Sequence, residues 1–139
     1  MIDTERVRCA LRIINQAHDK QVDERGYPFV AHLIHIAKMM KTEDTCIVAL
    51  MHDVLSTSVT LNELRCYFTK EQITAIELIQ AVPAEIPFAE HINDVKENDI
   101  AREVEIAFMS YELYILKQSK LYAKMVKYKA ALEYLKGDM

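Results

Sequence analysis

The chain has no tryptophan, and only two glycines and three prolines in 139 residues. A sheet protein spends glycine and proline on its many tight turns. Their scarcity, with half of the residues apolar, predicts an all-α globule. Cysteine is scarce too. Cys9, Cys46 and Cys66 are odd in number, lack zinc-finger spacing and fall inside helical patterns, which predicts free thiols in a reducing cytoplasm. No apolar run approaches the roughly 18 residues of a membrane span. The first residues carry Asp3, Glu5, Arg6 and Arg8 rather than an apolar stretch, so no signal peptide is expected. A net charge of −4 gives no reason to expect nucleic acid. Within that total, residues 117–139 carry six lysines against Glu133 and Asp138, a net +4, so the rest carries −8. A solvated helix face accounts for this basic tail better than an anionic partner does.

Hydrophobic periodicity lays out about seven or eight helices with no repeat or linker between them, so one domain over residues 1–139 is expected. Ile2, Val7, Ala10, Leu11, Ile14 and Ala17 predict a first helix from about Thr4 to His18. A polar loop with Gly26 and Pro28 follows, then a helix from about Phe29 to Lys41. Thr42 or Asp44 can cap a third that runs to about Leu55. Thr60-Leu-Asn-Glu63 and Thr69-Lys-Glu-Gln72 match the capping box and start two more. Pro83 and Pro87 bracket a loop before a short helix from about Phe88 to Lys96. The stretch from about Asp99 to Lys117 is apolar on two faces, which suits the middle of a bundle. A last helix is expected from about Leu121 to Leu135.

Chemistry concentrates in Val48-Ala-Leu-Met-His-Asp-Val-Leu55. An imidazole and a carboxylate among Val, Leu and Met cost several kcal/mol unless each finds a partner. A metal ion shared with a neighbouring helix is one such partner, and His32, in the apolar stretch Phe29 to Ala37, is a candidate to share it. A capped or salt-bridged helix end is the structural alternative. His18, His35 and His91 read as packed or surface side chains, and the Met and Tyr residues as core and rim.

Gly26-Tyr-Pro-Phe-Val-Ala-His32, Val48-Ala-Leu-Met-His-Asp-Val54, the Thr60-led helix, Asn98-Asp-Ile-Ala-Arg-Glu-Val104 and Lys127-Tyr-Lys-Ala-Ala-Leu132 occur in that order. This arrangement resembles the HD-superfamily phosphohydrolases, most closely the hydrolase domain of RelA/SpoT-type stringent-response enzymes and its small stand-alone homologues. The resemblance spans about Ala10 to Leu135. It implies an all-α helical bundle, a divalent metal, usually manganese, and removal of the 3′-pyrophosphate from guanosine tetraphosphate (ppGpp) or a related nucleotide. By the same resemblance His32, His52 and Asp53 match three of the metal ligands.

The resemblance breaks at one place. The fourth ligand, an aspartate in the family, is Phe108 here, and the acidic pair implicated in activating water is Ser56 and Thr57. A hydroxyl is a poor general base without a partner. A basic residue of the first loop is replaced by Glu24, and the family's His-Asn by Tyr111-Glu112. Glu105 and Glu112, three and four residues from Phe108, share its helical face and are possible substitute ligands. Two classes of function therefore stand. One is a metal-dependent phosphohydrolase acting on a nucleotide or other phosphate ester through His32, His52 and Asp53. The other is a descendant with lost or altered hydrolysis that binds a nucleotide, a small phosphate compound or a protein. In the second case the two histidines could each bond to Asp53 and need no ion.

Overall fold

The computed structural model describes residues 1–23, 25–80, 88–118 and 122–137. Its regular elements are helices α1 (Glu5–Ala17), α2 (Phe29–Ala37), α3 (Glu43–Leu50), α4 (Leu61–Leu64), α5 (Lys70–Leu78), α6 (Phe88–Lys96), α7 (Asp99–Gln118) and α8 (Tyr122–Lys136). A short 3-10 turn, Val54–Ser56, lies between α3 and α4. Glu24, the Pro83 and Pro87 loop and Leu121 lie outside the described residues.

Threonine starts four of the helices. Thr4, Thr42, Thr60 and Thr69 each accept a hydrogen bond from the amide three residues on, satisfying a donor that the helix leaves open. At Thr69 the reciprocal bond, donated by its own amide to the Gln72 side-chain oxygen, completes a capping box. The Gln72 amide also donates to Asp44 at 2.8 Å and so ties α5 to α3.

Two helices organise the rest. From Thr45 to Leu50, α3 is buried on every side, and α7 touches α2, α3, α5, α6 and α8. Its two apolar faces explain this: Val104 and Phe108 face inward with Ala101, while Ile115 and Leu116 are buried further along. Each fully buried Leu or Ile, such as Leu33, Ile36, Ile47 or Ile76, contributes about 2 kcal/mol of burial free energy. Arg102 locks α8 to α7 by donating to the Leu135 carbonyl at 2.7 Å.

The expected end of α3 needs correction. The helix stops at Leu50, not near Leu55, and His52 and Asp53 lie in the turn that follows. Asp53 adopts a left-handed conformation, φ 67°, which aspartate tolerates better than most residues. That one residue reverses the helix, and the Leu55 amide then donates to Gln80. Similarly α2 ends at Ala37 rather than near Lys41.

Candidate functional site

Around one cleft of about 340 Å³ the fold gathers His32 from α2, His52 and Asp53 from the turn after α3, and Glu105, Phe108 and Glu112 from α7. Phe29, Ile79, Phe88, Met109 and Tyr128 supply apolar wall. α6 adds His91, for which the sequence suggests a packed or surface role and no place in the site; its spacing from Phe88, on a helix with buried Ile92 and Val95, is the available signal.

Phe108 stands where the resemblance expects an aspartate, and it touches both histidines. Its ring stacks on His52 with centroids 3.8 Å apart and on His32 at 5.6 Å. His52 Nε2 lies 2.7 Å from the Glu105 carboxylate, which accepts from the ring N–H. Glu105 is only 5% exposed, so this bond is what makes its burial tolerable.

His32 is 7% exposed, and neither ring nitrogen has a hydrogen-bond partner among the described residues. Burial pushes its pKa down to about 4; nearby Asp23 opposes this, while His52, Arg25 and His35 add to it. The imidazole is therefore neutral at pH 7. The pattern in which both histidines bond to Asp53 is not found: His52 pairs with Glu105, and His32 has no such bond.

The first loop carries a network that sequence reasoning missed. Asp23 accepts from the amides of Arg25 and Tyr27 at 2.8 and 3.1 Å. Burial alone would raise its carboxyl, but these amides and the Arg25 guanidinium outweigh that and hold it below the usual range. Arg25 also donates to the Tyr111 hydroxyl at 2.8 Å. Tyr111 in turn meets His32 edge-on, with ring centroids 4.9 Å apart, and lies against exposed His35 at 4.4 Å. An Asp shortly before a Gly is a recognisable turn signal, yet the partner 86 residues away from Arg25 is not readable from it.

The remaining candidates have structural roles. Ser56 and Thr57 donate to the carbonyls of Asp53 and Val54 at 2.7 and 2.6 Å, closing the turn. His18 is buried, bonds to Gln21 and packs edge-on against Phe29.

A solved structure described as a metazoan ortholog of SpoT that hydrolyzes ppGpp and plays a role in starvation responses resembles this chain with a TM-score of 0.69. The match covers 97% of this chain and 96% of that one at 16% sequence identity. The chain has an HD-type helical hydrolase fold. No family model matches it, and no curated protein sequence does. The sequence resemblance implies a divalent ion held by His32, His52 and Asp53. The side chains present do not fit one as they stand: Phe108 puts a ring without a donor atom where a ligand would stand, and Glu105 takes His52 Nε2. Among the described residues, no three His, Cys, Asp or Glu side chains group as a metal site. None of the described helices is long and apolar enough to cross a membrane.

Proposed function

We propose that this chain is an HD-type domain in which metal-dependent hydrolysis has been lost and the cleft serves for binding. The observation that carries this reading is the phenyl ring of Phe108 against both imidazoles. A phenyl ring offers no lone pair to a hard cation, and here it occupies the helical position from which the family's last ligand would reach. Two further features support it. Glu105 engages His52 in a hydrogen bond instead of meeting it across an ion. Ser56 and Thr57 spend their hydroxyls on backbone carbonyls, where neither can activate water.

The test measures metal content by mass spectrometry, on protein purified without chelator and again after soaking in manganese, beside an assay for pyrophosphate release from ppGpp. Little bound manganese and no release are expected. About one ion per chain, lost in His52→Ala, together with turnover, would overturn the proposal. That outcome would return His32, His52 and Asp53 as ligands, with Glu105 or Glu112 as the fourth.

A further inference from the structure

Most of the charge in the cleft is already answered. Glu105 is held by His52, Glu112 has a partner of its own, and the Lys127 ammonium lies 4.0 Å from the centroid of the Phe88 ring in the wall. Asp53 is the one acid of that wall whose carboxylate has no bond among the described residues. It turns anions away, and Lys127 offsets what it would offer a cation. Gln80 is spent as well: its carbonyl accepts from the Leu55 amide at 3.1 Å, and its amide donates to the Ile76 carbonyl at 2.8 Å. An ion of either sign therefore gains little here.

An uncharged acceptor is left open. His52 gives its Nε2 to Glu105, and in the neutral imidazole that bond keeps the proton on Nε2 and leaves Nδ1 as a bare acceptor. Nδ1 bonds to nothing among the described residues, and the side chain is 23% exposed. The nitrogens of His32, by contrast, are unpartnered but fully covered. Around His52 the surfaces are flat and apolar. The Phe108 ring lies within 22° of the His52 plane and 17° of the His32 plane, and Phe29 stands 5.7 Å from His32. Such rings take a further aromatic ring in offset or edge-on contact, and Ile79 and Met109 extend the apolar wall. A cleft of about 340 Å³ falls in the size range of small-molecule sites.

We infer that the cleft binds an uncharged aromatic compound of the indole or phenol class, whose N–H or O–H donates to His52 Nδ1. The ring of the ligand lies against the wall of Phe29, Ile79 and Met109. Ionic relatives are disfavoured, because an ammonium or carboxylate gives up its hydration here for no full countercharge. This inference rests on the metal-free reading above, since a bound divalent ion would compete with Glu105 for His52 and reverse the charge of the site.

The experiment is calorimetric titration of the full chain at about pH 8, where an imidazole is ordinarily neutral, with 3-methylindole and 1-methylindole. These isomers match in size and apolar area, and only the first has an N–H to donate. Phenol is titrated as a second donor, and tryptamine and indole-3-acetate as the cationic and anionic relatives. 3-Methylindole is expected to bind about fivefold tighter than its isomer, the worth of one hydrogen bond, and tighter than either ion. In His52→Leu combined with Glu105→Leu, which leaves no carboxylate buried alone, the isomers should bind equally, with unchanged circular dichroism. The comparison on the parent chain decides the matter even where that variant does not fold. No binding by 3-methylindole or phenol, equal binding of the isomers, tighter binding of either ion, or a preference that survives in the double variant overturns the inference and leaves the metal-free reading standing. Guanosine diphosphate is titrated with and without manganese, and manganese-dependent binding of it overturns both.

Discussion

The phenyl ring of Phe108 and the imidazole of His52 lie nearly parallel, 22° apart, with centroids 3.8 Å from each other. One helical turn earlier on α7, Glu105 bonds to the edge of the same imidazole. His52 is therefore held by face and by edge from a single helix. Aromatic stacking adds about 0.5–1.5 kcal/mol beyond burial, and a hydrogen bond to a charged group about 1.5–3 kcal/mol. An imidazole fixed this way has one face and its Nε2 committed to protein partners.

Phe108→Ala should destabilise the protein by about 3 kcal/mol, the lower part of the range for a buried phenylalanine. The ring is 6% exposed and packs against two imidazoles, so some water can enter the gap and soften the loss. Urea unfolding monitored by circular dichroism measures it. A loss below about 1 kcal/mol would mean that the ring is not what orders the histidines.

Glu105 and His52 should prove coupled. Glu105→Gln keeps an acceptor for the Nε2 proton and is expected to cost about 1 kcal/mol, whereas Glu105→Ala should cost about 3 kcal/mol. In a double-mutant cycle with His52→Ala, an interaction energy of about 1–2 kcal/mol is expected. Additive losses would show that the 2.7 Å contact contributes nothing in solution.

What the sequence makes legible here is short-range. Thr4, Thr42, Thr60 and Thr69 announce helix starts because the bond they make lies three residues away. The span Phe88–Lys96 and the central place of α7 follow from apolar spacing alone. The end of α3 was hidden, since Val48 to Leu55 holds no glycine or asparagine, and the reversal depends on Asp53 turning left-handed. Gln80, from beyond α5, then braces that turn through Leu55. Asp23, Arg25 and Tyr111 form one network only after the first loop meets α7. Pattern matching could point to Phe108 as the altered position, but not to Glu105 as the residue that would take up His52.

Stability should fall as acid is added through the range set by His32. The unfolded imidazole takes up a proton near pH 6.5, while in the folded protein burial delays protonation to about pH 4. Between these values the unfolded chain binds more protons, so unfolding becomes easier as pH drops. The contribution is fully present above about pH 6.5 and lost by pH 4, and amounts to at most about 3 kcal/mol. Urea midpoints from pH 7 to 4, with chelator present, measure the slope. His32→Gln should flatten it, and an unchanged slope in that variant would assign the pH dependence elsewhere. Asp23, whose carboxyl is held low, loses its own contribution only below the usual carboxylate range, so the two do not overlap at the upper end.

Replacing the phenyl ring with the missing ligand should restore an ion. In Phe108→Asp the new carboxylate would face the space beside His32 and His52, with Asp53 in the wall of the same cleft. Without metal it is a buried charge in an apolar wall, and the variant should lose a few kcal/mol of stability. Manganese relieves that by binding only the folded state, so the midpoint should climb with the logarithm of its concentration, about 1.4 kcal/mol for each tenfold increase above Kd. The parent chain should show no such climb, and His52→Ala should abolish it in the variant. A parent chain that is itself stabilised by manganese would mean that Phe108 moves aside for the ion. A variant that stays indifferent to manganese would mean that His32 and His52 are turned to other partners, Glu105 first among them, and that the aspartate was only one of the losses.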